Sequence, residues 1–367
     1  MGSPRRILII KLGSIGDVVH TLPALADLKQ SFPEAEIDWL VESKARVLLD
    51  GNPWLHEVVE IDTHRWRRSW SSATLSDMRR IAGKLRSRQY DVAIDFQGLW
   101  KSAVLGKVSG ARKLVGFDRT TLKEPGCRIF YDEPIKPALT ARHVIDIYKE
   151  LPRSLGVTPG PHCFHLSVPE EDQQYIAQQL SSRQISDCVV LNPGGGWDTK
   201  NWAPENYALL HDKLRQETGL HSVLTWGPGE EPLVERVLAA CVGTPPVTFP
   251  TSLTQLIALL KQAKLFVGGD TGPLHLAAAC GTPIVGIFGP TDPQRNGPFS
   301  SEDIVVSHQV PCGPCYKRTC PIYNKECLRL VQVDEVSQAV QRRLEVGKKV
   351  ASVLSELPVI NRGTKPH

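Results

Sequence analysis

Short runs of apolar residues alternate with longer amphipathic stretches along most of the chain. The apolar runs predict buried strands at 6–11, 36–41, 58–61, 91–95, 113–116, 188–192, 222–226, 265–267 and 284–288. Helical periodicity fills the stretches between them, as at 73–88 and 205–217. Alternation of this kind predicts an α/β fold, a parallel sheet with helices on both faces.

A linker divides this pattern into two halves. The segment 152–169 carries four prolines and two glycines, which is typical of a boundary between domains. The prediction is therefore a first domain over 1–160 and a second domain over 161–350. The polar remainder, 351–367, is predicted to be a disordered tail.

Composition narrows the class of protein. The 367 residues are 41% hydrophobic and 22% charged, with a formal net charge of +4, which is ordinary for a globular protein and does not indicate a nucleic-acid partner. No N-terminal signal sequence is visible, and no apolar run approaches the ~20 residues that span a bilayer. We expect a cytosolic or peripheral protein whose nine cysteines are reduced thiols or metal ligands.

The segment 264–290 predicts a strand, a glycine-rich turn and a capped helix in close succession. An apolar strand is followed by Gly268 and Gly269, then by Asp270 or Thr271 as the cap of a helix over 272–280. Unpaired backbone N–H groups and the positive end of the helix dipole suit a phosphate there. An ordinary capped helix of an α/β core fits the same residues.

Two further loops follow predicted strands of the second half. Gly195 and Gly196 precede Lys200, and bare N–H groups beside a lysine suit a diphosphate. A flexible loop with a surface lysine is the alternative. One strand later, Glu231 or Glu230 could accept a hydrogen bond from a ribose hydroxyl, or could merely begin a helix.

The first half offers one carboxylate at a strand end. Asp17 lies in the first turn of the helix after the first strand, and ligands of open α/β sheets bind at such ends. The alternative is that Asp17 only complements the helix dipole. The glycines around it do not form G-x-G-x-x-G, and no Walker A pattern occurs, so a dinucleotide site is poorly supported.

Basic residues cluster between 64 and 90. Arg65, Arg67 and Arg68, interleaved with Trp66, are predicted to lie in a loop and to bind phosphate or carboxylate groups. The arginines over 79–88 fit a solvated helix face better. His143, near the start of another predicted helix, is by default a surface or packed histidine.

Four cysteines near the end of the second half have the spacing C-x2-C-x4-C-x6-C. Cys312, Cys315, Cys320 and Cys327 could hold one tetrahedral zinc in a structural site. The spacing is irregular for a zinc ribbon, so iron–sulfur ligation and free thiols stay open.

Three of these segments together resemble glycosyltransferase family 9, the bacterial lipopolysaccharide heptosyltransferases. They are 13–24, 200–202 and 269–276, and 95–99 and 288–293 look like further motifs of the family. The resemblance runs from about residue 5 to residue 344, and 20–23 and 65–68 are most similar to the type I members. It implies a GT-B fold, in which two Rossmann-like doubly wound domains, one for the acceptor and one for the nucleotide sugar, face each other across a cleft.

The resemblance also implies a reaction. The donor would be ADP-L-glycero-D-manno-heptose and the acceptor a Kdo residue of lipid A at the inner-membrane surface, where the enzyme would be peripheral. Transfer would invert the anomeric centre and need no metal or other cofactor. A related transferase with another sugar or acceptor, and a non-catalytic nucleotide-sugar binding protein, are the alternatives.

Site residues follow from the resemblance position by position. Asp17 matches the general base. The donor side is implied to comprise Gly195, Gly196, Lys200, Glu231, Asp270, Thr271, Gly272 and His275. The acceptor side is implied to comprise Lys11, Arg65, Arg67, Arg68 and His143. Type I members carry two threonines where this chain has Gly195 and Gly196, so backbone N–H groups would replace their hydroxyl contacts.

Overall fold

The computed structural model describes residues 3–68 and 71–356, with side chains described as far as 346. Two parallel sheets of six strands organise these residues. The first sheet is built from strands within 6–135 and the second from strands within 188–307. The predicted domain boundary near residue 160 falls in the segment that connects them.

The first half forms one doubly wound sheet. Its strands are β1 (Arg6–Ile10), β2 (Glu36–Glu42), β3 (Glu57–Ile61), β4 (Val92–Asp95), β5 (Lys113–Phe117) and β6 (Glu133–Ile135). Its helices are α1 (Ile15–Ser31), α2 (Ser43–Arg46), α3 (Thr63–Arg68), α4 (Ser72–Ser87), α5 (Trp100–Val108) and α6 (Val144–Arg153), with a 3-10 turn at Pro125–Phe130. The strand order is β3-β2-β1-β4-β5-β6, and the neighbouring strands pair in parallel.

The second half repeats this architecture. Its strands are β7 (Cys188–Asn192), β8 (His221–Leu224), β9 (Val247–Thr248), β10 (Leu265–Gly269), β11 (Ile284–Phe288) and β12 (Ile304–Ser307). Its helices are α7 (Glu170–Ser181), α8 (Pro204–Thr218), α9 (Glu231–Ala240), α10 (Leu253–Gln262), α11 (Gly272–Cys280), α12 (Pro293–Asn296), α13 (Glu326–Arg329) and α14 (Val333–Glu356), with a 3-10 turn at Asp198–Lys200. The order is β12-β11-β10-β7-β8-β9. Helix α14 therefore occupies the start of the predicted tail, and 357–367 lie outside the described residues.

Both sheets have the same topology when each is counted from its own first strand. In that order the connections change direction between β1 and β4, and again between β7 and β10. A crevice opens at the carboxyl ends of the strands at such a switch point, and ligands bind there. Helix α1 packs against both α6 and α11, which brings the two switch points together. The predicted α/β fold with two Rossmann-like sheets is confirmed.

The central strands are buried on both faces, which explains why they read as continuous apolar runs. Ile7, Leu8, Ile9 and Ile10 of β1 are fully buried. Three of the four outermost strands, β6, β9 and β12, are short and only partly buried, and the apolar pattern did not predict them. Within the described part of the chain, no helix combines the length and the apolar character needed to cross a membrane.

Candidate active site

The Asp17 carboxylate lies just beyond the carboxyl end of β1. Ser14 donates to its Oδ2 from the backbone N–H at 3.0 Å and from the hydroxyl at 3.2 Å. The Tyr148 hydroxyl of α6 donates to Oδ1 at 3.2 Å. These contacts fix the side chain, yet 29% of it stays exposed, so a substrate hydroxyl can reach it.

Lys11 lies beneath Asp17 and is almost completely buried. Its Nζ donates to the Tyr148 hydroxyl at 2.7 Å and to the Phe96 carbonyl at 3.1 Å, and it lies 3.5 Å from Asp17 Oδ1. Burial lowers the pKa of Lys11, although Asp17 opposes that change. The ammonium, predicted to meet the acceptor, is therefore held against Asp17 and Tyr148.

The charge state of Asp17 follows from these neighbours. Burial by itself would raise the pKa of Asp17, but the charges of Lys11 and Lys123 and the hydrogen bond from Ser14 outweigh it. The pKa of Asp17 consequently lies well below its usual range. The carboxylate is ionised at neutral pH, as a proton acceptor must be.

An ion pair lies at the corresponding place in the second sheet. Lys200 Nζ donates to Asp270 Oδ2 at 2.7 Å and to the Asp270 carbonyl at 2.8 Å. Burial opposes ionisation of Asp270, but His275 and Lys200 together hold the pKa of its carboxyl well below the usual range. Two predicted donor residues are thus in direct contact.

Polar atoms without partners surround this pair. Among the described residues, Thr271 Oγ1 and Asn201 Oδ1 are buried and lack a hydrogen-bond partner. Gly195 lies against both: a Cβ there would clash with the Thr271 methyl and would come within 3.1 Å of Asn201 Oδ1. Gly272, the first residue of α11, packs against Ile15 at the start of α1. The Thr271 hydroxyl can donate to an anionic ligand and lies beside a helix start and a lysine, whereas Asn201 Oδ1 can only accept a hydrogen bond.

The Glu230 carboxylate packs against the glycine loop. Its Oε2 accepts from the Gly227 N–H at 2.7 Å, and a Cβ on Gly194 would clash with it. Glu231, predicted for the ribose, is the first residue of α9 and is exposed. The arrangement favours Glu230 over Glu231 at the loop.

Histidines connect the two halves. His275 Nε2 lies 3.2 Å from Asp270 Oδ1, and its Nδ1 lies 3.1 Å from Nε2 of His20 on α1. His143, predicted for the acceptor, uses both ring nitrogens: Nδ1 accepts from the Ile145 N–H at 3.2 Å, and Nε2 lies 2.9 Å from the Gly297 carbonyl. The predicted base and the predicted donor residues therefore border one boundary between the sheets.

The arginine-rich segment forms helix α3, so the prediction of a loop was wrong. Asp62 Oδ1 accepts from the Arg65 N–H at 2.8 Å and caps the helix, while the Trp66 ring is buried beneath it. Arg65 pairs with Asp77 at 2.9 Å, whereas Arg67 donates to the Thr63 carbonyl at 3.3 Å. Arg68 is exposed. The segment follows the outer strand β3. Because β3 is parallel to β1, the segment and Asp17 both lie at the carboxyl ends of the strands.

The residues that sequence reasoning missed come from distant parts of the chain. Tyr148 joins Lys11 to Asp17 from α6, and no local pattern singles it out. Gln97, which follows β4, accepts from the backbone N–H groups of Leu12 and Gly13 at 3.0 and 3.3 Å and so holds the loop before Asp17. The family-like segment 95–99 was the available signal for Gln97.

None of the four clustered cysteines forms a disulfide. Burial raises the pKa of the Cys327 thiol, and the thiols of Cys315, Cys312 and Cys320 raise it further. Among the side chains that the structure describes, no group of three or more histidines, cysteines or acids is arranged to hold a metal. The zinc prediction stays untested.

A cleft between two Rossmann-like halves, with a sugar-nucleotide site at the strand ends, is the architecture of the GT-B glycosyltransferases, and similar solved structures assign the chain to that class. The chain belongs to glycosyltransferase family 9 (heptosyltransferase), whose family model matches residues 78–325. Both the predicted family and the predicted enzyme class are confirmed.

Named relatives are similar over most of the chain. Lipopolysaccharide heptosyltransferase 1 of Pseudomonas aeruginosa is 32% identical over 322 residues, which cover 86% of this chain and 87% of the relative. The Escherichia coli K12 protein of the same name is 33% identical over 307 residues, covering 82% and 92%. The structure of E. coli heptosyltransferase WaaC with ADP is 28% identical, with a TM-score of 0.74 and coverage of 92% and 99%. These likenesses support heptose transfer in lipopolysaccharide synthesis.

Proposed function

We propose that the protein transfers heptose from ADP-L-glycero-D-manno-heptose to a Kdo residue of lipid A, with inversion at the anomeric carbon. One observation carries the proposal. An ionised, partly exposed Asp17 and the Lys200–Asp270 pair lie on opposite halves of the molecule and are connected through the His20–His275 contact. A base on one wall and an anion site on the other is the arrangement that an inverting transfer needs.

The donor diphosphate binds in this proposal at the ends of β7 and β10. The orphaned Thr271 hydroxyl, the backbone of Gly195 and Gly196, and Lys200 supply the contacts. Glu230 is the better placed carboxylate for the ribose. A similar structure, of E. coli WaaC with ADP-2-deoxy-2-fluoro heptose, supports an ADP-sugar donor at 28% identity and a TM-score of 0.69.

The chemistry requires only side chains of this chain. Asp17 accepts the proton of the acceptor hydroxyl while the oxygen of that hydroxyl bonds to the anomeric carbon. The bond from that carbon to the diphosphate oxygen breaks on the opposite face, and ADP leaves with the electron pair. Lys200 neutralises the charge that develops on the leaving group. We propose that no metal takes part.

The acceptor side is proposed to use charge. Arg67 and Arg68 on α3 suit the carboxylate of Kdo and the phosphates of lipid A, while Lys11 acts through Asp17 and Tyr148. His143 holds the loop at Gly297 beside the cleft. Because the acceptor is a lipid, the enzyme would work as a peripheral protein at the inner-membrane surface.

Product analysis tests the proposal. The protein is incubated with ADP-, GDP- and UDP-sugars and Kdo-lipid A, and the products are identified by mass. We expect the mass of the acceptor to increase by one heptose when ADP-heptose is the donor, and to stay unchanged with the other nucleotide sugars. Transfer of another sugar would favour a related family 9 enzyme. This candidate stays open because Gly195 and Gly196 stand where type I members carry two threonines. Binding of ADP-heptose without turnover would favour a non-catalytic binding protein.

A further inference from the structure

Two cations share one tryptophan beside the donor site. Lys200 Nζ lies 4.7 Å from the centroid of the Trp197 ring, and Arg318 Cζ lies 5.2 Å from the same ring. Cations over an indole face are attracted by its quadrupole. An arginine from a distant segment is thus held next to the lysine that the proposed mechanism uses.

The segment 312–327, which contains the four clustered cysteines, is fastened to the loop that carries Lys200. The Thr199 hydroxyl donates to the Lys317 carbonyl at 2.8 Å. Lys325 Nζ lies 2.6 Å from Asp198 Oδ2 and donates to the Asp198 carbonyl at 3.0 Å. Contacts on both sides of Arg318 therefore fix its backbone beside Asp198–Lys200.

Arg318 forms no ion pair with any side chain that the structure describes. Throughout the described ranges, no carboxylate lies within ion-pair distance of its guanidinium, and the side chain is exposed. Lys200, in contrast, is paired with Asp270 at 2.7 Å. Thr271 Oγ1 is buried and has no hydrogen-bond partner among the same described residues, so this hydroxyl can donate to a bound phosphate.

We propose that Arg318 is a second cationic ligand of the donor diphosphate, brought to the site by segment 312–327. The inference rests on the proposed function and deepens it. Lys200 would meet the phosphate nearer to Asp270, and Arg318, which lies over the same Trp197 ring, would meet the other phosphate. A guanidinium can donate two parallel hydrogen bonds to one phosphate, which gives orientation as well as charge.

The test is titration calorimetry of ADP and of adenosine with three variants. Arg318→Ala removes the guanidinium, Arg318→Lys keeps the charge without the fork, and Lys317→Ala removes an equal charge from the adjacent exposed residue. We expect Arg318→Ala to weaken ADP binding about tenfold or more, as the loss of a charge-assisted hydrogen bond does. Arg318→Lys should recover part of the loss, and adenosine binding should be unchanged in all three.

Two results overturn the inference. If Arg318→Ala binds ADP as well as Lys317→Ala does, Arg318 is not a ligand. If adenosine binding falls as much as ADP binding, the arginine acts by packing on Trp197 and not through the phosphates. Both results leave the proposed transfer intact, because product formation is measured separately. A wild-type protein that binds no nucleoside diphosphate would instead remove the inference and the proposed donor together.

Discussion

His20 Nε2 lies 3.1 Å from His275 Nδ1, and this contact joins α1 of the first half to α11 of the second. Asp17 lies three residues before His20 on α1, and Asp270 lies 3.2 Å from the other ring nitrogen of His275. The candidate base and the candidate donor site therefore share one packed boundary. A change that separates these two helices should affect stability and turnover together.

Gly16→Ala should have this effect. A Cβ on Gly16 would clash with the His275 ring, so α1 and α11 would have to move apart. We expect a loss of about 1–3 kcal/mol in the free energy of unfolding, as overpacking typically causes, and a lower kcat. Urea unfolding and initial rates measure the two effects.

Gly83→Ala is the matched control, because Gly83 is also helical and a Cβ there meets nothing within 4 Å. Replacing an exposed helical glycine by alanine should stabilise the protein by up to about 1 kcal/mol. If Gly16→Ala is as stable and as active as Gly83→Ala, the helices are not packed as closely as described.

The stability of the protein should fall as the pH drops below about 6.5. Burial, followed by the neighbouring His275, holds the pKa of His20 well below its ordinary value of 6.5, and burial lowers the pKa of His143 as well. The unfolded chain binds these protons near pH 6.5 while the folded protein does not, so the free energy of unfolding rises with pH through this range. Urea unfolding from pH 5 to 8 measures the slope.

His20→Asn should flatten that slope, because it removes the buried imidazole whose pKa is lowered. Asp17 and Asp270 contribute at far lower pH, because their pKa values are lowered and their stabilisation is lost only as the pH falls through them. An equal slope in the wild type and His20→Asn would show that the ring is not buried as a neutral group.

The sequence predicts those structural elements whose signal lies in a short run of consecutive residues. The strands Cys188–Asn192 and Ile284–Phe288 have the predicted bounds, because each is an unbroken apolar run between turn residues. Strand β9, Val247–Thr248, gave no such signal, since a two-residue outer strand buries little. The confirmed family and fold came from the combination of motifs, which is specific where each motif alone is not.

The residues of the candidate site likewise fall into two groups, those that a local motif predicts and those that only the tertiary structure brings to the site. Asp17, in the first turn of α1, and Asp270 and Thr271, between β10 and α11, belong to short segments whose consecutive residues predict a site. Tyr148 and Arg318 reach the site from segments far away in sequence, and only the packing of α6 and of segment 312–327 brings them there. Tertiary placement of this kind leaves no periodic or spacing signal in a single sequence.

The double variant Arg67→Ala with Arg68→Ala should raise the KM for Kdo-lipid A and leave the ADP Kd unchanged. Two exposed charges of α3 are each worth up to about 1 kcal/mol, so we expect a threefold to thirtyfold effect, roughly. High salt should reproduce part of the defect in the wild type. Arg79→Ala with Arg183→Ala, which removes equal charge from exposed positions elsewhere, is the control. Equal KM values for the two double variants would make α3 an ordinary solvated surface.

Zinc in the cysteine segment is a separate prediction. Protein purified without chelator should contain about one zinc per chain by elemental analysis, the content of a single four-thiolate site. Cys312→Ser with Cys315→Ser should remove it, whereas Cys163→Ser, at an exposed cysteine outside the cluster, should not. A wild-type content below roughly a tenth of one zinc, with the four thiols titrating freely, would end the zinc hypothesis.

Asp17→Asn tests the proposed mechanism most directly. The amide has the shape of the carboxylate and can still accept from Ser14 and contact the Tyr148 hydroxyl, so the local structure should persist. What it loses is the negative charge beside Lys11 and the capacity to take a proton.

We expect kcat to fall by about 10²–10⁴ while the ADP Kd changes little, because the base acts on the acceptor and not on the donor. Asp146→Asn is the matched control: Asp146 also lies in the first turn of a helix, α6, where it contacts His162. If Asp17→Asn and Asp146→Asn retain similar kcat values, Asp17 serves only the start of α1, and the acceptor proton leaves by another route.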